Sequence, residues 1–229
     1  MNQVIAAHGW AGDASIWRAW QRSFEALGWR WQSVEQGYSG QQPYQPCWAA
    51  DVGQRLLISH SLGVHMLPAS VLADAQAIVL LAGFSAFVPP GATGRGQAVA
   101  LRGMAARLGT PGEDEMLQKF LERCAAPLPA SALPPNPLLR GITQEGRERL
   151  RAHLQLLQNC DSLPSFWPAE ASVLVIRGDQ DRVVCDESHA LLLQQLPSDR
   201  SEEHRLDAMG HALVRPEVLK VVLDWIGAG

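Results

Sequence analysis

Residues 59 to 63 read Ser59-His60-Ser61-Leu62-Gly63, lodged between the run Arg55-Leu56-Leu57-Ile58 and a helix-like segment, Val64 to Ala73. A strand that ends in so short a turn and passes straight into a helix lifts one hydroxyl, here that of Ser61, clear of the sheet. Small flanking residues permit the turn, and Ser59 stands where glycine is usual in the G-x-S-x-G pattern while remaining small enough for close helix–strand packing. The helix start behind Ser61 adds unpaired N–H groups and the positive end of a dipole, which favour developing negative charge. The stretch is a candidate nucleophile elbow. As a lone pentapeptide it is a loose match, and its weight depends on partners elsewhere in the chain.

A serine hydroxyl is a weak nucleophile at neutral pH, so catalysis requires a histidine base and a carboxylate that fixes the tautomer of that histidine. Val173-Leu174-Val175-Ile176 reads as a buried strand running into Arg177-Gly178-Asp179-Gln180-Asp181-Arg182-Val183-Val184, a turn with two carboxylates. Met209-Gly210-His211-Ala212 follows the strand-like Glu203 to Leu206 and precedes a last helix, Glu217 to Ile226. The order Ser61, acid, His211 along the chain is that of α/β-hydrolases and differs from the chymotrypsin and subtilisin orders. Asp179 and Asp181 lie two apart on an extended turn, and their spacing alone leaves the choice of acid open.

Composition bounds the alternatives. Of 229 residues, 47% are apolar, enough for one sizeable core, and a net charge of -4 argues against nucleic acid as a partner. Cys47, Cys124, Cys160 and Cys185 form no close-spaced framework, so free thiols are expected. No His, Cys, Asp and Glu set has the spacing of a zinc site. No basic segment with an apolar core opens the sequence, and the longest apolar stretch, near Ile78 to Val88, is too short to cross a bilayer. The expected location is the cytoplasm and the expected state a monomer. Of seven histidines only one is needed as a base. His8 and His60 flank proposed site elements and read as strand-end residues satisfied by one hydrogen bond, or else as pocket lining; His65, four after Ser61, reads as core.

The chain alternates strand and helix: strand Gln3 to Ala7, helix Ser15 to Leu27, strand Trp29 to Val34, strand Arg55 to Ser59, helix Leu62 to Ala73 and strand Ala77 to Leu81. That rhythm builds a mostly parallel α/β sheet with helices on both faces. The first strand begins almost at Met1, which leaves no sequence for an opening hairpin. From Phe84 to Trp167 the rhythm gives way to helix-like segments around a proline-rich stretch, Pro127 to Pro137, so the core is expected at 1–83 and 168–229, with a helical cap at 84–167. Within the cap, Thr110-Pro111-Gly112-Glu113 reads as a capping box opening a helix to Cys124, and a second helix runs from Thr143 to Asn159 with Leu150, Leu154 and Leu157 on one face. The cap holds nine Lys or Arg against seven acids and the remainder ten against sixteen, so the cap is the basic part. Arg147 and Arg151 share a helical face, with Arg140 just before the helix, either as a solvated surface or as a landing site for an acidic partner.

With these motifs in order, the chain resembles the α/β-hydrolase superfamily from Val4 to its end, and His8-Gly9-Trp10 adds a fourth match. The resemblance implies an oxyanion hole made by the backbone N–H groups of Trp10 and Leu62, and a triad of Ser61, Asp181 and His211. Gly178, Asp181 and Val184 match the superfamily's G-x-x-D-x-x-V pattern, which favours Asp181 over Asp179. Closer still, His8-Gly9-Trp10 with Ile16-Trp17, the short elbow, the basic cap and Gly210-His211-Ala212-Leu213 resemble the pimeloyl-acyl-carrier-protein methyl ester esterases of biotin synthesis. What that implies is hydrolysis of a methyl ester at the far end of a seven-carbon chain, with an acidic acyl-carrier protein docked on Arg140, Arg147 and Arg151 and no cofactor required. The competing expectation is a general α/β-hydrolase acting on a free apolar ester or on a carbon–carbon bond. A further one is a ligand-binding protein that keeps the fold without the chemistry.

Overall fold

The computed structural model describes residues 1–227. Its six strands are β1 (Gln3–Ala7), β2 (Arg30–Ser33), β3 (Arg55–His60), β4 (Ala77–Leu81), β5 (Ser172–Gly178) and β6 (Ser201–Leu206). They form one sheet in the order β2-β1-β3-β4-β5-β6. Every neighbouring pair in the sheet is parallel. Strands buried on both faces are expected to read as unbroken apolar runs. β4, Ala77-Ile78-Val79-Leu80-Leu81, does so and is buried throughout. The outer β6, Ser201-Glu202-Glu203-His204-Arg205-Leu206, carries charge along a half-exposed edge, which discourages pairing with another chain.

Alternate residues of the central strands feed two cores. Val4, Ala6, Leu56, Ile58, Val79, Leu174 and Ile176 face Trp17 and Trp20 with Phe24 of α1 (Arg18–Ala26) and Val218 and Val222 of α7 (Pro216–Gly227). Ile5, Ala7, Leu57, Ile78, Leu80, Val173 and Val175 face Val71 and Leu72 of α2 (Ala69–Ala73) and Leu192 of α6 (Asp186–Gln195). Burying a side chain of this size contributes roughly 1.5–3 kcal/mol, so these two layers dominate stability.

Between β4 and β5 the chain inserts α3 (Ala92–Arg107), α4 (Glu113–Ala125) and α5 (Gln144–Asn159), which pack a third core over the sheet's carboxyl end. In α5, Thr143 caps as its residue type demands, its Oγ1 accepting from Gly146 N at 3.0 Å. The Thr110 box closes differently from the expectation. Glu113 Oε2 accepts from Gly109 N rather than from Thr110, because the same carboxylate is drawn into an ion pair with Arg147 at 2.7 Å.

Two expected helices are also corrected. The segment after Ser61 is a 3₁₀ helix, Ser61–Met66, and the α-helix resumes only at Ala69. Pro68 forces Leu67 into extended backbone, at ψ 146°, and the continuous helix from Leu62 to Ala73 is broken there. The helix expected from Ser15 starts as a 3₁₀ turn, Ala14–Trp17, with Asp13 Oδ1 accepting from Ser15 N at 2.8 Å.

Candidate active site

Ser61, Asp181, His211 and Trp10 follow β3, β5, β6 and β1 in turn, so all four gather at the carboxyl ends of parallel strands, where open α/β sheets present their ligand sites. Ser61 has φ 54°, a left-handed conformation that costs a non-glycine residue of order 1–3 kcal/mol and persists only where the surroundings dictate it. The surroundings do so by crowding. A Cβ on Gly63 would lie 2.5 Å from Ala7 O, and one on Gly9 would lie 2.9 Å from Ser61 Cβ, so both glycines are required for β1 and the turn to approach. Ser59, in place of the usual first glycine, fits with its Oγ turned toward Gly63, but that buried hydroxyl has no hydrogen-bond partner.

His211 Nδ1 and Asp181 Oδ2 are 2.9 Å apart, with both side chains almost fully buried. Asp181 is held in turn, since its Oδ1 accepts from Val183 N at 2.7 Å and Val184 N at 3.0 Å. Burial by itself pushes the Asp181 carboxyl up; the His211 charge and hydrogen bond, with the two backbone N–H groups, outweigh it and hold the carboxyl below its ordinary range. Asp179 is exposed, so the choice that spacing left open falls geometrically on Asp181. With Nδ1 engaged, Nε2 of His211 is the nitrogen left to take a proton. No hydrogen bond joins Ser61 Oγ to His211 among the described residues; such contacts often tighten only when substrate arrives.

His60, read from the sequence as a strand-end residue satisfied by one hydrogen bond or as pocket lining, is both. Its Nε2 donates to the backbone carbonyl of His211 at 2.9 Å, and the two rings lie 4.8 Å apart. Burial, reinforced by the neighbouring His211, lowers the His60 ring to about 3, so it stays neutral and keeps the proton that fastens the His211 loop. Ala212 N donates to Cys124 O at 3.2 Å, which ties the same loop to the end of α4. His8 is fully buried, its Nδ1 donating to Gly9 O at 2.8 Å, and it lines neither chamber described below. His65 is half-buried, stacks on Phe84 and donates to Phe84 O at 2.9 Å.

The Gly9 loop turns through Ala11, at φ 59°, with Gly12 N donating to Gly9 O. Among the described residues no turn or loop hydrogen bond takes up Trp10 N, and Leu62 N lies in the first turn of the 3₁₀ helix that starts at Ser61. The Trp10 indole reaches away from its loop. Its Nε1 donates to Leu150 O of α5 at 3.0 Å, and its ring packs edge-on against Phe120 of α4 at 4.8 Å.

Two apolar chambers flank this pair. One, about 250 Å³, is lined by Ser61 and Asp181 with Phe87, Leu101, Met104 and Leu157. The other, about 770 Å³, is lined by His211 and His60 with Ile16, Leu133, Pro134 and Val214. Trp10 and Phe120 line both, and no other of the described residues does. The exposed Arg123 and Arg182 stand at the smaller chamber. Of the three cap arginines, Arg147 forks onto Glu113 at 2.7 and 2.8 Å, and Arg151 donates to Leu108 O. Arg140 is exposed.

The sheet order, the elbow and the inserted helices define the α/β-hydrolase fold. No family model matches the chain, and no curated protein matches it. Solved structures do. An esterase from Thermogutta terrifontis, with malate bound, is 14% identical at a TM-score of 0.69, over 100% of this chain and 90% of that one. MenH from S. aureus is 12% identical at a TM-score of 0.63, over 99% and 94%. The bottromycin epimerase BotH, in complex with bottromycin A2, is 15% identical at a TM-score of 0.66, over 99% and 90%. At such identities the likeness carries the fold alone. An esterase and an epimerase share it, so chemistry has to be argued from this chain's own side chains.

Proposed function

We propose that this protein is a serine carboxylesterase in which His211 takes the proton of Ser61 as Ser61 Oγ attacks an ester carbonyl. The observation that carries the proposal is the 2.9 Å His211–Asp181 hydrogen bond, standing with a strained Ser61 at the ends of neighbouring strands beside apolar space. Asp181 holds the imidazole in one tautomer and stabilises its protonated form. Trp10 and Leu62 N–H groups receive the oxyanion, and loss of one such donor costs roughly 3–4 kcal/mol in the transition state. His211 then protonates the departing alkoxide, and water activated by the same ring releases the acid. Hydrolysis of p-nitrophenyl butyrate tests this: Ser61→Ala should lower kcat at least about 10³-fold with the circular dichroism spectrum retained, and an active Ser61→Ala protein would refute it.

A narrower reading is the methyl ester of pimeloyl-acyl-carrier protein in biotin synthesis, with the acidic carrier on the cap in the cytoplasm. It is supported by the exposed Arg140 and by an apolar chamber next to Ser61 of a size for a medium acyl chain. Arg147 and Arg151 contribute less than expected to such docking, because both are already engaged inside the cap. Carrier-dependent turnover that weakens steeply with salt supports this reading, and salt-insensitive turnover of free esters supports a general esterase.

A further inference from the structure

We infer that the two chambers divide the substrate: the 250 Å³ chamber takes the acyl part and the 770 Å³ chamber takes the leaving alcohol, with the Trp10–Phe120 pair as partition. The inference rests on the Ser61–His211 reading above and extends it to the class of ester. In acylation the bond between Ser61 Oγ and the acyl carbon forms and the bond from that carbon to the alkoxy oxygen breaks. The proton leaves Ser61, crosses His211 and ends on the alcohol; water then attacks the acyl carbon as the bond to Ser61 Oγ breaks, one water proton passing through His211 to Ser61 Oγ and the other leaving with the acid. The oxygen that departs must therefore lie against the His211 ring, and its substituent continues into the space that His211 lines. The acyl substituent, bonded to the carbon held at Ser61, points into the space that Ser61 lines.

The linings make this division unusually clean. His211 borders only the larger chamber and Ser61 only the smaller. At roughly 30 Å³ per water-sized group, the smaller chamber holds about eight non-hydrogen atoms and the larger about twenty-five. The larger chamber is predominantly apolar, walled by the proline-rich stretch through Leu133, Pro134 and Pro135, and it is not sized for methanol. The substrates expected are esters of carboxylic acids no longer than a medium chain with bulky apolar alcohols, as a general esterase would take, rather than a methyl ester. The wall between the chambers is thin. Phe120 is a single half-buried ring resting edge-on against Trp10, while Trp10 is fixed through Nε1 to Leu150 O. Phe120 is thus the residue that sets the acyl limit.

Two ester series test the assignment: p-nitrophenyl esters from acetate to dodecanoate, and butyrates of methanol, benzyl alcohol and menthol, each with Ser61→Ala as control. In wild type, kcat/KM should fall at least tenfold from hexanoate to dodecanoate and rise at least tenfold from methyl to benzyl butyrate. Phe120→Ala, or Phe120→Leu where the smaller variant does not fold, should recover dodecanoate at least fivefold. Ala132→Trp, which narrows the larger chamber, should reverse the preference for benzyl and menthyl butyrate while the acyl-length profile keeps its shape. Ser61-dependent turnover that favours the methyl ester, or an acyl profile that moves with Ala132→Trp and not with Phe120, overturns the chamber assignment alone. Turnover that survives Ser61→Ala, or none with any ester, overturns the triad reading together with it.

Discussion

The sheet and the inserted helices bury apolar surface alike but are joined to the site in different ways. The sheet supplies Ser61 and Asp181 from the ends of β3 and β5, whose central residues are fully buried, so their positions follow from close packing, whereas His211 follows the half-exposed β6 and is fixed by its bonds to Asp181 and His60. The cap reaches the site through an apolar cluster shared with Trp10, Tyr38 and Leu62 and through a few polar ties. Trp10 Nε1 donates to Leu150 O at 3.0 Å, Asn136 Nδ2 donates to Ala11 O at 2.9 Å, and Tyr38 Oη lies 2.6 Å from His153 Nδ1. These ties join the cap to the loops after β1 and β2, and Ala212 N, donating to Cys124 O, joins it to the His211 loop. In the proposed mechanism the reacting atoms are held mainly by the sheet, and the shape of the substrate space by the cap.

If that contrast is right, the largest effects come from the sheet. Asp181→Asn should lower kcat about 10⁴-fold, by stabilising the wrong tautomer of His211. Asp179→Asn should stay within about threefold, equivalent to less than 1 kcal/mol; steady-state kinetics on one activated ester compares the two, and equal losses would break the contrast. Next, Arg147→Ala leaves the Glu113 carboxylate, 9% exposed, without its partner. A loss of about 2–3 kcal/mol is expected from denaturant unfolding, since a largely buried charge is stranded. Trp10→Phe keeps the ring and removes the tie to α5. It should lower kcat roughly tenfold, about 1.4 kcal/mol in the barrier, with stability changed by no more than about 1 kcal/mol.

The acid response sharpens the comparison from another side. Burial lowers His60 to about 3 and His153 to about 4, so in the folded protein both are neutral where the unfolded chain is protonated. The unfolded state binds more protons across that window, and stability rises with pH there. Their stabilising contribution is complete above the ordinary histidine range, near pH 6.5, and is lost progressively as pH falls toward 4 and below. His60→Gln should flatten the dependence of the unfolding midpoint on pH between about 6.5 and 4. The smallest effect is expected at Ser59→Ala, which removes a buried hydroxyl with no partner and should be neutral or stabilising by up to about 1 kcal/mol.

What was legible in the sequence divides along the same line. Central strands were plain because burial on both faces leaves uninterrupted apolar runs such as Ala77 to Leu81 and Val173 to Ile176. The outer β6 begins at Ser201 rather than Glu203, because an edge strand is fixed by pairing with β5 and not by its own apolar content. α3 carries Gly94, Gly96 and Gly103 and little amphipathic bias, so nothing local marks its bounds. At the site, the elbow and His211 announce themselves by motif. Spacing alone leaves Asp179 and Asp181 open and the G-x-x-D-x-x-V resemblance favours Asp181; the turn geometry aims that carboxylate at the ring. Phe120 has no sequence signal, since it acts through a ring packed on Trp10, and for His60, which the sequence places beside the site, the partner carbonyl 151 residues away is nonlocal. The pairing of Arg147 with Glu113, 34 residues earlier, is equally nonlocal.

The central claim is that Ser61 is the nucleophile, and the most direct test is intact-mass and peptide mapping after treatment with an organophosphorus probe. One adduct per chain on Ser61, absent from Ser61→Ala and slowed severely in His211→Ala, is the result predicted. No adduct, or an adduct on another residue with Ser61 unmodified, would contradict it.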